Sequence, residues 1–129
     1  MKSFIVAALG ITVLLSGCST KNRYEREADK ITNAVIADNM GPVFNDFDAS
    51  AQPTIRRVAV ARLADELNSQ GKFEGVQELQ VQNEGPTTHT FNAKFEKHMY
   101  TETMVLDDNG KVREWHIHMQ YAPAASPTP

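Results

Sequence analysis

Cysteine is nearly missing from this 129-residue sequence: Cys18 is the single one. One thiol excludes an intramolecular disulfide and any metal site built on several thiolates, so stability must come from packing. No basic run occurs either. The 13 Lys and Arg side chains and the 16 Asp and Glu side chains are interspersed and leave a formal net charge of −3. A phosphate backbone needs concentrated positive charge, so nucleic acid is not an expected partner. The longest apolar stretch, residues 4–15, reaches about 18 Å as a helix at about 1.5 Å per residue, against about 30 Å of hydrocarbon. A lasting membrane-spanning helix is therefore not expected. There is no internal repeat and no motif that calls for a cofactor.

What is present begins at the N-terminus. Lys2 precedes the apolar stretch, as in a secretory leader. The stretch runs into Leu15-Ser16-Gly17-Cys18, which resembles the lipobox of bacterial lipoproteins. The resemblance implies a signal peptide over residues 1–17, cleavage before Cys18, and acyl chains such as palmitate on that cysteine. One acyl chain binds a membrane marginally and two or more hold it. Ser19, where an Asp would signal inner-membrane retention, points to the outer membrane facing the periplasm. Residues 18–21 then form a lipidated tether. At about 3.3 Å per residue, residues 19–21 reach only about 10 Å, keeping the domain close to the headgroups.

The folded domain is expected over residues 22–121. Asn22 followed by Glu25 gives a capping-box-like helix start. Tyr24, Ala28, Ile31 and Val35 recur at helical spacing, with Arg23, Glu27, Lys30 and Asp38 largely outside that stripe. Gly41-Pro42 is the expected stop, and Val43, Phe44 and Phe47 read as a helical turn packed inward. Pro53 suits the first residue of a second helix with an inward stripe of Arg56, Val60, Leu63, Ala64 and Leu67, capped by Gly71. Residues 122–129 are rich in Pro, Ala, Ser and Thr and lack large apolar residues. A disordered tail is expected there.

The period then changes from 3.6 to 2, with strands expected over residues 73–82, 87–96, 99–106 and 111–121. Asn109-Gly110 is the strongest hairpin signal, and Lys97-His98 marks a second tight turn. Two-residue loops at both places would set Trp115 opposite Met104, Met104 opposite Phe91, Met119 opposite Tyr100 and Tyr100 opposite Phe95. One face then collects Phe91, Ala93, Phe95, Tyr100, Met104, Leu106, Trp115, Ile117 and Met119. The other collects Asn92, Lys94, Thr101, Thr103, Glu114, His116 and His118. A one-residue slip would scramble both faces. The expected class is α+β: N-terminal helices packed on a curved four-stranded antiparallel sheet.

Gly71-Lys72-Phe73, Lys94-Phe95-Glu96-Lys97 and the run Leu106-Asp107-Asp108-Asn109-Gly110-Lys111-Val112 followed by Trp115 carry a further likeness. Over residues 24–121 the chain resembles the nuclear-transport-factor-2-like superfamily, and within it a small bacterial domain found beside alpha/beta hydrolases. That resemblance implies a cystatin-like, cone-shaped roll with a pocket between sheet and helices. The superfamily holds isomerases, dehydratases and non-catalytic binding or dimerisation domains, so fold does not fix function.

The candidate pocket residues are Tyr100, Glu102, Trp115, Phe91 and His89. Glu102 is the unusual one, a carboxylate on the apolar face, expected between Ala93 and Ile117. Burial there raises its pKa unless a cation pairs with it. Acid–base catalysis by Glu102 with His89 is one reading. The favoured reading is a structural Glu102–Arg56 pair, or a rim position where the carboxylate reaches water. Arg113 is expected on the same face near its edge. His116 and His118 share the polar face with Glu114, about 6.6 Å apart along the strand, which raises a metal site. Threonines opposite them and Lys94 beyond make that reading weak, and no metal is expected. Asp107-Asp108-Asn109-Gly110 is too short for a calcium loop. The expected function is a lipid-anchored accessory or small-ligand-binding domain that takes a small apolar ligand and is not an enzyme. The alternatives are the Glu102/His89 enzyme and an interaction module that dimerises through the polar sheet face.

Overall fold

A computed structural model describes residues 20–121. The lipobox with Cys18, the leader over residues 1–17 and the tail over residues 122–129 lie outside the described residues. Among the described residues, no helix is long and apolar enough to cross a membrane. The chain is α+β. Helix α1 (Arg23–Ile36) and helix α2 (Arg57–Asn68) precede strands β1 (Phe73–Gln82), β2 (Thr88–Phe95), β3 (Met99–Leu106) and β4 (Val112–Met119). The strands form one antiparallel sheet in sequence order.

Helix α1 starts as its sequence demands. Asn22 Oδ1 accepts the N–H groups of Tyr24 at 2.9 Å and Glu25 at 2.8 Å. Its end comes earlier than Gly41-Pro42. Asp38 adopts the left-handed region at φ 50, and Asn39 N donates to Ala34 O at 2.9 Å. That is a Schellman closure made without glycine. The stripe of Ala28, Ile31, Thr32 and Val35 is buried against the sheet.

The same helix protects an edge of the sheet. Asp29 Oδ1 accepts Val76 N at 3.0 Å, and Glu25 Oε1 accepts Glu78 N at 3.3 Å. Two outward N–H groups of edge strand β1 are thus occupied by helix carboxylates, which blocks further strand pairing there. Lys21, placed by sequence in the tether, is already ion-paired to Asp29.

Between the helices the chain forms two 3₁₀ segments, Gly41–Asp46 and Gln52–Thr54. Pro53 belongs to the second of these, and α2 begins only at Arg57 with Arg56 as its N-cap. Arg56 is therefore not part of an inward helical stripe. Val43 and Phe47 pack inward, but Phe44 is exposed. Phe47 forms a parallel bridge to Val112, and Asp48 N donates to Val112 O at 2.8 Å. This ties the crossover to the start of β4. Past α2, Gly71 turns the chain into β1 at φ 81. A Cβ there would lie 2.9 Å from Glu96 Cβ, so glycine is required by both backbone and space.

The strand registers correct the sequence reading in two places. Met104 faces Trp115 and Tyr100 faces Met119, as expected. Between β2 and β3, however, Met104 faces His89, Tyr100 faces Ala93 and Glu102 faces Phe91. The turn is Glu96-Lys97, one residue earlier than expected, so register moves by two and every side chain keeps its face. Contacts from the α2–β1 loop fix it there. Glu96 N donates to Lys72 O at 2.9 Å and Lys97 N to Gln70 O at 3.0 Å.

The Asn109-Gly110 hairpin also departs from a two-residue loop. Asp107 N donates to Lys111 O, so three residues form the loop, with Gly110 at φ 77. An irregularity between Val105 and Leu106 then leaves Arg113 without a partner. The bulge restores the register beyond it, and it turns Arg113 outward while Val112 is buried.

Candidate functional site

Glu102 occupies the middle of β3, between Phe91 on β2 and Ile117 on β4, and is 0% exposed. Its partners differ from the expected arginine. Trp115 Nε1 donates to Oε1 at 2.5 Å, and Thr32 Oγ1, reaching down from α1, lies 2.9 Å from Oε2. Arg56 is not among them. Burial pushes the carboxyl pKa up to about 8, with Asp29 adding to the rise, while the Trp115 and Thr32 hydrogen bonds act in the opposite direction.

Proton counting leads to the same state. Thr32 Oγ1 also lies 2.9 Å from Ala28 O one turn back, and a hydroxyl carries one proton. With the carboxyl protonated, Glu102 donates to Thr32, Thr32 donates to Ala28, and Trp115 donates to the remaining carboxyl oxygen. Each polar atom is then satisfied and no charge is buried. The cluster is interior structure, closed by its own side chains.

His89 is buried on the same face but serves a different partner. Its Nδ1 lies 2.9 Å from Glu78 Oε2 and its ring stacks on Tyr24 with centroids 3.9 Å apart. Its Nε2 has no hydrogen-bond partner among the described residues. Glu102 and His89 are thus engaged separately and form no hydrogen-bonded acid–base pair.

A second carboxyl group was not legible in the sequence. Glu27 lies on α1 beside Asp46, and its pKa is pushed up to about 7 by burial, then by Asp46. Burial works against ionisation of Asp46 as well, but hydrogen bonds from Lys30 and Glu27 leave Asp46 lowered. Lys30 Nζ donates to Asp46 Oδ2 at 2.7 Å.

A cavity of about 670 Å³ lies elsewhere. It is a cleft between the first half of α2, the crossover and the start of β4. Val35, Met40, Phe47, Ala51, Ile55, Ala59, Val60, Leu63 and Trp115 supply apolar lining, and Arg56, Arg113, Glu114 and His116 supply charge or polarity. The size is that of a small-molecule site. Of the five expected pocket residues only Trp115 reaches it. Tyr100, Phe91, Glu102 and His89 are buried in the packed interior. Arg56 and Arg113 enter through the two features the sequence reading missed, the late helix start and the bulge.

His116 and His118 are exposed on the outer face of β4, opposite Thr103 and Thr101, with Thr90 and Asn92 next on β2. His116 Nε2 lies 3.8 Å from Glu114 Oε2. Among the described residues no group of three His, Cys, Asp or Glu side chains is placed to hold a metal ion. Comparison with family models, curated proteins and solved structures found no match.

Proposed function

We propose that this chain is a lipid-anchored, periplasm-facing accessory domain of the bacterial envelope that binds a small ligand and performs no catalysis. Its fold is read as a nuclear-transport-factor-2-like roll whose pocket is the cleft between α2 and β4. The observation that carries the reading is that cleft, about 670 Å³ with a largely apolar lining and a few polar groups. Sites for small molecules have this size and composition. The acid–base alternative has less support, because Glu102 and His89 are each committed to other partners.

Support for the anchor is the sequence Leu15-Ser16-Gly17-Cys18 after a short apolar stretch. Mass spectrometry of the membrane fraction tests it. An N-terminal Cys18 peptide bearing acyl chains is expected, and a soluble protein starting elsewhere contradicts it. Binding is tested with Nile red, a neutral apolar dye, on the full chain. Saturable binding with energy transfer from Trp115, the single tryptophan, is expected. Dye fluorescence that rises without saturation contradicts the reading.

A further inference from the structure

The cleft carries two positive charges that the rest of the fold does not use. Arg56 and Arg113 both line it, and both are exposed. Neither forms an ion pair among the described residues, whose salt bridges involve Lys21, Lys30, Lys94, His89 and His116 instead. The acid on the same lining, Glu114, is turned towards His116 at 3.8 Å. Asp48 feels the charge of Arg113 but is held by Ser50 and Ala51. Two guanidinium groups thus stand free beside an apolar recess formed by side chains such as Ile55, Val60, Leu63 and Trp115.

That combination selects for two properties in one ligand. An apolar chain would fill the recess, and an anionic head would meet Arg56 and Arg113. Guanidinium groups hold carboxylate and phosphate through paired hydrogen bonds, which a neutral head cannot match. The arrangement is produced locally. The late start of α2 places Arg56 ahead of the helix, and the bulge in β4 turns Arg113 out, so that both side chains line the cleft.

We infer that the cleft binds a single-chain amphiphile with an anionic head, a fatty acid or a long-chain phosphate monoester, with Arg56 and Arg113 holding the head and the recess by Trp115 taking the chain. This rests on the ligand-binding reading above and narrows it.

Trp115 lies in the recess, so its emission reports binding directly. The full chain is placed in phosphatidylcholine vesicles and titrated with decanoate, decyl phosphate and 1-decanol at matched free concentrations. Saturable change with either anion, at least tenfold tighter than with decanol, is expected. Decanoate tighter than decyl phosphate assigns a fatty acid, and the reverse order assigns a phosphate monoester. Arg56→Gln and Arg113→Gln should each weaken the anion about tenfold and leave decanol unchanged. Arg62→Gln, a residue of α2 that is not part of the cleft, should leave all three unchanged. Equal affinity for decanol and the anions overturns the inference while the ligand-binding reading stands. No saturable change with any of the three overturns both.

Discussion

Helices α1 and α2 cover one face of the same sheet, yet they do so to different degrees. Helix α1 buries Ala28, Ile31, Thr32, Ala34 and Val35 along most of its length. Helix α2 buries Ala64 and Leu67 near its C-terminus, and its first half stands off the sheet, where Ala59, Val60 and Leu63 line the cleft. Trp115 sits at the boundary. Its indole N–H serves the buried cluster beneath α1 and the same side chain lines the cleft beneath α2. The difference separates two roles that sequence reading had merged. The buried carboxyl group belongs to the packed half, and the space for a ligand belongs to the open half.

If that division is right, truncation should be costly under α1 and mild under α2. Ile31 is 0% exposed, so Ile31→Ala should destabilise by about 2–5 kcal/mol in urea unfolding. An effect no larger than that of Val60→Ala would erase the contrast.

Next in size is the pH response of the packed half. Glu102 holds its proton in the folded state up to about pH 8, whereas the unfolded chain releases it near 4.5, the ordinary value for a glutamate. The folded state therefore binds the extra proton between these values, and stability falls as pH rises across that window. The limit is about 1.4 kcal/mol per pH unit. Glu27, raised to about 7, acts in the same direction. Glu102→Gln keeps a donor for Thr32 and an acceptor for Trp115, so it should stabilise the protein at pH 8 and leave it nearly unchanged at pH 4. Urea midpoints at the two pH values give the answer. Destabilisation at both would show that a charged carboxylate is required.

Trp115→Phe keeps the ring and removes the donor to Glu102. A loss of about 1–3 kcal/mol is expected from stranding a buried oxygen, seen as a lower urea midpoint at pH 5. Asp29→Asn should weaken the acceptor for Val76 N at the β1 edge by about 1 kcal/mol. Faster amide exchange at Val76 than at Ala93, its partner on β2, would be the local sign. Smallest is Val60→Ala in the cleft, expected below about 1 kcal/mol.

Much of this division was written in the residues, and the exceptions have identifiable causes. The α1 stripe and the two-faced sheet were legible because each pattern repeats over many residues. Register at Met104–Trp115 was reached through two errors that cancel: the Asn109-Gly110 loop is one residue longer than assumed, and the bulge at Arg113 restores the count. The β2–β3 register was missed by two because Gln70 and Lys72, far away in sequence, decide which residues turn. Arg56 and Arg113 were both assigned to the interior for local reasons, a helical spacing and a strand alternation. A late helix start and a bulge broke those patterns and brought both side chains to the cleft. Glu27 gave no signal, since its burial depends on the crossover folding over it.

The contrast between a packed half and an open half can be tested at one position. Ala59 lines the cleft on α2 and is exposed, so Ala59→Trp should fill the recess without disturbing the core. This variant should melt within a degree or two of the wild type and lose saturable Nile red binding. Retained binding with unchanged affinity would contradict it, because the dye would then be held somewhere other than the cleft between α2 and β4.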